Sequence, residues 1–193
     1  MLKINDKEIK NVDDLKEMVE KDVSILKEFK YKHIITKTDI RTYNIYMYVC
    51  MYGTPEMLKY LETYFTNIKD FKDEQKTDSY LLASFNGQLE IMKYLEKEHN
   101  WDIHVKNNNG DDAYLLASFG GQLEIMKYLE KEHNWDIHVK TNSGSDAYLL
   151  ASRYGHLKIM KYLDEIHNWK FHDYEVENEE ILKYLNKIKL KKK

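Results

Sequence analysis

The residues in this sequence best suited to chemistry are two histidines that flank a tryptophan and an aspartate in the segment HNWDIH. This segment begins at His99 and again at His133, so it occurs twice. Imidazole side chains bind metals and transfer protons near neutral pH. The segment could therefore belong to a metal site, to an active site, or to a structural unit that is simply copied along the chain.

A zinc site is the first interpretation, because four residues separate the two histidines, as in some zinc fingers. A structural zinc ion needs about four nitrogen or sulfur ligands. Each copy offers two histidines and one aspartate, and Cys50 is the only cysteine in the chain. A histidine-based metal site is therefore a remote alternative, and we expect neither a metal nor another cofactor.

Catalysis fits the segment less well than metal binding does. An active site is one asymmetric set of groups with distinct roles. Here the candidate groups are copied within a longer stretch, GQLEIMKYLEKEHNWDIHVK, which is identical at 87–106 and 121–140. The sequence shows no Ser-His-Asp order, Gly-rich phosphate loop or pair of acids in unequal surroundings. We therefore predict no enzymatic activity, and a structural role for HNWDIH.

The composition permits one folded domain of 193 residues with a formal net charge of −3. Such a balance gives no general affinity for nucleic acid or anionic membranes. No apolar run approaches the roughly 18 residues that suggest a membrane span, and the N-terminus lacks the apolar segment of a secretory signal. A single cysteine fits a reducing compartment. We expect an intracellular, cytoplasmic protein, although the lysine-rich run at 187–193 could be a nuclear signal.

A period of 34 residues organises the chain, since it relates Asp78, Asp112 and Asp146. Glycines and tryptophans recur with the same spacing: Gly87, Gly121 and Gly155, then Trp101, Trp135 and Trp169. The predicted segments are a degenerate N-terminal repeat or cap (1–39), a divergent repeat (40–73), three clear repeats (74–107, 108–141 and 142–175) and a C-terminal capping helix with a basic tail (176–193).

Each repeat reads as two helices followed by a finger. In 112–121 an aspartate, a strong helix N-cap, precedes a short apolar stretch that ends at glycine. The next stretch, QLEIMKYLEKEH, places apolar residues at helical spacing. The alternating WDIHV at 135–139 predicts an extended finger, and TNSG at 141–144 predicts a turn.

This pattern resembles the ankyrin repeat, whose second-helix signature is matched by GQLEIMKYL at 87–95 and 121–129 and by GHLKIMKYL at 155–163. The first-helix signature is matched loosely by DAYLLA at 112–117. The tetratricopeptide repeat shares the period, but it has no place for the finger. The resemblance implies an all-α repeat solenoid of stacked helix-turn-helix units with β-hairpin-like fingers. The near-verbatim copies are also similar to ankyrin arrays of large DNA viruses of protists, which would imply a viral protein in host-virus interaction.

Positions that differ between the copies are the candidates for recognition, because identical positions build the stack. The resemblance places both variable zones on the concave, partner-binding surface of ankyrin proteins. The first zone, at the end of the first helix, comprises Met51, Tyr52, Phe85, Asn86, Phe119, Gly120, Arg153 and Tyr154. The second zone, at the finger tips, comprises Glu74, Gln75, Asn108, Asn109, Asp111, Asn142, Ser143 and Ser145.

Aromatic and arginine side chains are enriched in binding hot spots. The sequence therefore predicts a non-catalytic scaffold that binds another protein, with no membrane or nucleic-acid partner. An alternative is an adaptor that uses its termini to recruit a host protein to a ubiquitin-ligase or signalling complex. For Phe85 and Phe119, the competing interpretation is that both turn inward and fill gaps between repeats.

Overall fold

A computed structural model describes residues 2–4, 7–11, 13–15, 17, 45–63, 77–167 and 178–191. Strands β1 (Leu2–Ile4) and β2 (Lys7–Ile9) form an antiparallel pair in which Leu2 lies opposite Ile9. Helices then alternate in pairs: α1 (Ile45–Tyr52) and α2 (Pro55–Leu61), α3 (Ser79–Phe85) and α4 (Leu89–His99), α5 (Ala113–Gly120) and α6 (Leu123–His133), α7 (Ala147–Arg153) and α8 (Leu157–His167), with α9 (Glu179–Lys191) last. In these ranges no helix is both long and apolar enough to cross a membrane.

The first helix of each clear repeat begins where the sequence predicts. The Oδ1 atoms of Asp78, Asp112 and Asp146 accept hydrogen bonds from backbone N–H groups three residues on, at 3.0, 3.0 and 2.9 Å. Each aspartate thus satisfies an amide that has no partner inside the helix. Helices α4 and α6 are followed by the C-cap residues Asn100 and Asn134, which adopt left-handed backbone with φ of 46° and 49°.

The core is a row of first helices covered on one side by the second helices. Helix α3 packs against α1 and α5, and α5 packs against α7. The side chains that fill this row are copied from repeat to repeat, including the fully buried Tyr80, Tyr114 and Tyr148. The predicted all-α solenoid of stacked helix-turn-helix units is confirmed, whereas the exact boundaries of the six predicted segments stay a prediction.

The stretch after the second helix differs from its predicted extended form. Ile103 and His104 lie in a turn, because the Asp102 carboxylate accepts the backbone N–H of His104 at 3.0 Å. Aspartate readily forms such a local bond, which competes with extended backbone. The finger tip does close on itself, with a 3.0 Å bond from the Asn107 N–H to the Asp111 carbonyl.

A shared carboxylate joins each repeat to the next. The hydroxyl of Tyr80 donates to Glu96 Oε1 at 2.7 Å, and the hydroxyl of Tyr128, in the following repeat, donates to Glu96 Oε2 at 2.6 Å. His133 Nε2, also in the following repeat, lies 3.1 Å from the same Oε2 atom. One carboxylate therefore accepts hydrogen bonds from two repeats at once.

The same arrangement recurs along the described stack. Glu62 accepts from Tyr46 and Tyr94 at 2.8 Å each and lies 2.9 Å from His99. The matching groups around Glu130 are Tyr114 at 2.7 Å, Tyr162 at 2.6 Å and His167 at 2.9 Å. At the last position Asp164 accepts from Tyr148 at 3.0 Å and from Tyr184 of α9 at 2.7 Å, so the same bond docks the terminal helix.

The histidines and the tryptophan of HNWDIH form structural contacts. His99 and His133 end their helices, as predicted, and also reach the carboxylate of the preceding repeat. The buried Trp101 donates its indole N–H to Asp78 Oδ2 at 3.0 Å. The ring of His104 stacks on Trp135 of the next repeat, with centroids 4.8 Å apart. Trp169 lies outside the described residues.

Replacing a shared carboxylate is expected to destabilise the array strongly. Glu96→Ala removes the common acceptor of two tyrosines and a histidine in a site where the glutamate side chain is only 15% exposed. Hydrogen bonds to a charged group contribute about 1.5–3 kcal/mol each. We expect a loss of about 3 kcal/mol in the free energy of unfolding, measured by urea denaturation with circular dichroism.

The matched control for this change is Glu124→Ala, which removes a 78% exposed carboxylate whose ion pair among the described residues is with Lys127. An exposed pair contributes about 0.5 kcal/mol or less. Equal losses for the two variants would show that the shared carboxylate is not a special support.

Alkaline pH is expected to unfold the protein through the same tyrosines. Burial, followed by the hydrogen bond to Glu96, raises the pKa of Tyr80 and of Tyr128, and the equivalent tyrosines shift the same way. The unfolded chain therefore binds fewer protons than the folded protein above about pH 10, and stability falls as pH rises from there. Phenolate absorbance at 295 nm should rise together with the loss of helical circular dichroism. Complete tyrosine ionisation in a protein that stays helical would contradict this assignment.

Candidate partner-binding surface

An aromatic ridge runs along the C-terminal ends of the first helices. It consists of Phe85 at the end of α3, Phe119 near the end of α5, and Tyr154 directly after α7. The Phe85 and Phe119 rings meet edge to face with centroids 5.1 Å apart, and the Tyr154 ring lies 4.1 Å from that of Phe119. The two phenylalanines are half-buried, whereas Tyr154 is 48% exposed. Each ring thus spans the boundary between two repeats.

Side chains of the following repeat hold the backbone of the ridge. Gln88 Nε2 donates to the Met51 carbonyl at 2.8 Å, and Gln122 Nε2 lies 3.2 Å from the Phe85 carbonyl. His156 Nε2 lies 2.8 Å from the Phe119 carbonyl. These carbonyls would otherwise be unpaired at helix ends. The sequence alone does not reveal this role, although Gln88, Gln122 and His156 stand 34 apart, each directly after a glycine.

Two buried serines add bonds between neighbouring first helices. Ser84 Oγ donates to the Ala113 carbonyl, and Ser118 Oγ donates to the Ala147 carbonyl, both at 2.6 Å. Each of these bonds joins one repeat to the next. The first helices that carry the ridge are therefore fixed relative to each other.

The structure removes two of the predicted residues from the surface. Met51 and Ser145 are each only 5% exposed, so their side chains cannot form part of a docking surface. Tyr52 is half-buried and packs on Tyr48 with centroids 5.0 Å apart. Asn86 closes its own helix by donating to the Leu82 carbonyl at 2.9 Å. Glu74 and Gln75 lie outside the described residues.

The predicted finger-tip residues are brought together by bonds between fingers. The Asn142 backbone N–H donates to the Asn109 carbonyl at 2.8 Å, and its side-chain amide donates to the Asn108 carbonyl at 3.0 Å. The Asp111 carboxylate accepts from the Asn107 side chain, and Ser143 Oγ lies 2.9 Å from Thr141 Oγ1. The exposed tips of Asn108, Asn109, Asn142 and Ser143 therefore form one polar edge.

Charge is distributed unevenly between the two kinds of helix. Arg153 is the only charged residue in the sequences of α1, α3, α5 and α7, and it is exposed beside Tyr154. The second helices instead carry paired charges, such as Lys93 with Glu90 at 2.8 Å and Lys127 with Glu124 at 2.9 Å. The ridge is thus a mostly uncharged surface with one cation at its end.

The histidines do not come together into a metal site in the described part of the chain. There, no three His, Cys, Asp or Glu side chains lie close enough to hold an ion. Each helix-terminal histidine instead faces one carboxylate and the ring of a tyrosine; for His133 and Tyr128 the centroids are 5.3 Å apart. This arrangement pairs a ring nitrogen with an acceptor and leaves no converging set of ligands.

Comparison with known proteins agrees with the geometry of the repeats. The family model for ankyrin repeats, in three copies, matches residues 80–171. Residues 80–171 therefore match the ankyrin repeat in sequence, and the stacked helix pairs have its fold. A chain from the crystal structure of the yeast ribosomal protein Rps3 in complex with its chaperone Yar1 has a similar fold, with a TM-score of 0.56 and 20% identity. The match covers 66% of this chain and 94% of that one. No curated protein sequence gives a significant match.

Substitution of Gly120 tests how closely neighbouring first helices approach each other at the ridge. A methyl group at this position would overlap the Phe85 carbonyl oxygen. In an open helix, Gly→Ala would stabilise by about 1 kcal/mol. Here we expect Gly120→Ala to lower the free energy of unfolding by about 3 kcal/mol, because the crowded backbones must move apart.

Gly144→Ala is the control for Gly120→Ala, since no atom lies within 4 Å of the added methyl group and only the φ of 83° opposes it. A left-handed alanine costs about 1 kcal/mol. Thermal unfolding of both variants compares them directly. Stabilisation by Gly120→Ala would show that the helices are not in close contact there.

Proposed function

We propose that this protein is a non-catalytic scaffold that binds another protein through the aromatic ridge and the polar edge of the fingers. The observation that carries the proposal is the exposed end of the ridge, where Tyr154 stacks on Phe119 with nearly half of its surface in solvent. Exposed aromatic side chains on a rigid support are typical of binding hot spots.

Rigidity supports this assignment as much as composition does. The backbone at Met51, Phe85 and Phe119 is held by side chains of the next repeat, so the ridge is in place before a partner arrives. A preformed surface loses less conformational entropy on binding than a flexible one. The half-burial of Phe85 and Phe119 means that they both fill the gap between repeats and leave an edge exposed.

The fold favours binding over catalysis. Ankyrin-repeat domains are typically non-catalytic, and the structural neighbour comes from a complex between two proteins. We extend protein binding, but not the identity of any partner, to this chain. The adaptor alternative needs a second docking element at 1–39 or in the basic tail, and most of the former lies outside the described residues. It therefore stays a prediction, as do the viral origin and the compartment.

Affinity capture with wild-type protein and a Tyr154→Asp variant tests the proposal. The variant places a charge in the exposed part of the ridge, where a bound partner would bury it. Because a buried unpaired charge opposes binding strongly, we expect the variant to capture at least tenfold less of the partner than wild type does. Quantitative mass spectrometry of the captured proteins gives the readout. Circular dichroism should show that the variant keeps its helices.

Ile166→Asp is the matched control, because Ile166 is 65% exposed and lies on α8, the second helix of the same repeat. We expect Ile166→Asp to keep the partner that Tyr154→Asp loses. If Ile166→Asp lost the partner while Tyr154→Asp kept it, the binding surface would lie on the second helices, which would contradict the proposal.

A further inference from the structure

One arginine stands alone at the end of the ridge. The side chain of Arg153 is exposed and forms no ion pair or hydrogen bond with any residue that the structure describes. Its position corresponds to Met51, Phe85 and Phe119 in the other repeats, where the side chain is apolar. A cation therefore replaces an apolar residue at the one place where the ridge is most exposed.

Among the described residues, the acidic first turn of α9 forms no ion pair with this arginine. Helix α9 begins close to Gly155, since the Asn178 amide lies 3.3 Å from the position of a Cβ on that glycine. The first-turn carboxylates of α9 are both exposed, and Glu179 lies 3.9 Å from Lys183 rather than beside Arg153. No carboxylate in the described part of the chain therefore occupies the guanidinium group, which leaves it able to pair with a carboxylate from another molecule.

The surroundings favour a ligand that combines an acid with an apolar group. Arg153 is the only charge in the sequences of the four first helices, so no neighbour in them competes for an incoming anion. Guanidinium binds carboxylate with two parallel hydrogen bonds. The adjacent Tyr154 and Phe119 rings offer an apolar surface within reach of the same ligand segment.

Building on the proposed function, we propose that the partner presents a short segment with an aspartate or glutamate side chain for Arg153 and an apolar side chain beside it for Tyr154 and Phe119. Opposite charge gives the complex its orientation along the ridge, and the apolar contact gives most of its affinity.

The charge distribution argues against a nucleic acid at this position. Binding to a phosphate backbone relies on several lysines or arginines acting together. The ridge has a single arginine, and the chain as a whole has a formal net charge of −3. A guanidinium beside an aromatic ring can contact a base and a phosphate, so the experiment includes an oligonucleotide.

A phage-displayed library of random 12-residue peptides, selected on the full-length protein, provides the probe. We expect the selected peptides to share an acidic residue next to an aromatic or aliphatic one. The best peptide is then synthesised together with a copy whose Asp and Glu are replaced by Asn and Gln. Calorimetry measures the dissociation constants of both peptides, and of a 12-nucleotide oligo-dT, for wild type, Arg153→Gln and Tyr154→Ala. The control is Lys158→Gln, which alters an exposed cation on α8.

We expect Arg153→Gln to raise the dissociation constant of the acidic peptide at least tenfold, because a charged hydrogen-bonded pair is lost. The amide copy should bind wild type and Arg153→Gln equally, and Lys158→Gln should behave as wild type. Selected peptides could instead bind Arg153→Gln as tightly as wild type but bind Tyr154→Ala more weakly. That result would overturn the proposal of an acidic segment and leave the ridge as the binding surface.

Two further outcomes separate this inference from the proposed function. Peptides whose affinity is unchanged by both Arg153→Gln and Tyr154→Ala would contradict the acidic segment and the ridge as a binding surface. A library that yields no ligand would contradict both as well. Binding of a 12-nucleotide oligo-dT that depends on Arg153 would replace the acidic segment with a nucleic acid.

Discussion

The rest of the structure depends on a carboxylate that no repeat can satisfy alone. Glu96 needs a tyrosine from its own repeat and a tyrosine and a histidine from the next. A carboxylate held away from water is stable only when donors surround it. Each repeat therefore requires its neighbour, which ties the stack together in addition to apolar burial. Asp164 extends this rule to α9, whose Tyr184 takes the place of a further repeat.

This constraint explains which residues are copied without change. Glu62, Glu96 and Glu130 each meet a tyrosine 32 residues on and a histidine 37 residues on, so residue types and spacing are fixed together at these three boundaries. The ends of the first helices carry no such network beyond the contacts to their backbone carbonyls. Their side chains can vary while the backbone stays in place. The change from phenylalanine at Phe85 and Phe119 to Arg153 thus alters the surface without changing the array, which is the arrangement that a binding scaffold requires.

The sequence predicted the parts that depend on local chemistry. Asp112 and Gly121 marked their helix ends correctly, because capping needs only neighbouring residues. The bonds to Glu96 join residues 16, 32 and 37 positions away, and their pairing appears only once the stacking geometry is known. WDIHV at 135–139 was predicted as extended from its alternating pattern, whereas Asp136 forms a local turn by accepting the backbone N–H of His138. The burial of Met51 and Ser145 depends on how neighbouring repeats cover them, which internal comparison of copies cannot show.

Hydroxyl-radical footprinting of the protein with and without its captured partner tests the central claim most directly. The method compares side-chain oxidation within one molecule and needs no substitution. If identical residues build the stack and the ridge binds, the partner will protect Tyr154 and Phe119 while the exposed Ile166 and Leu182 oxidise at the same rate as before. Protection of Ile166 or Leu182 with unchanged oxidation of Tyr154 would contradict the account and place recognition on the helices that we assign to support.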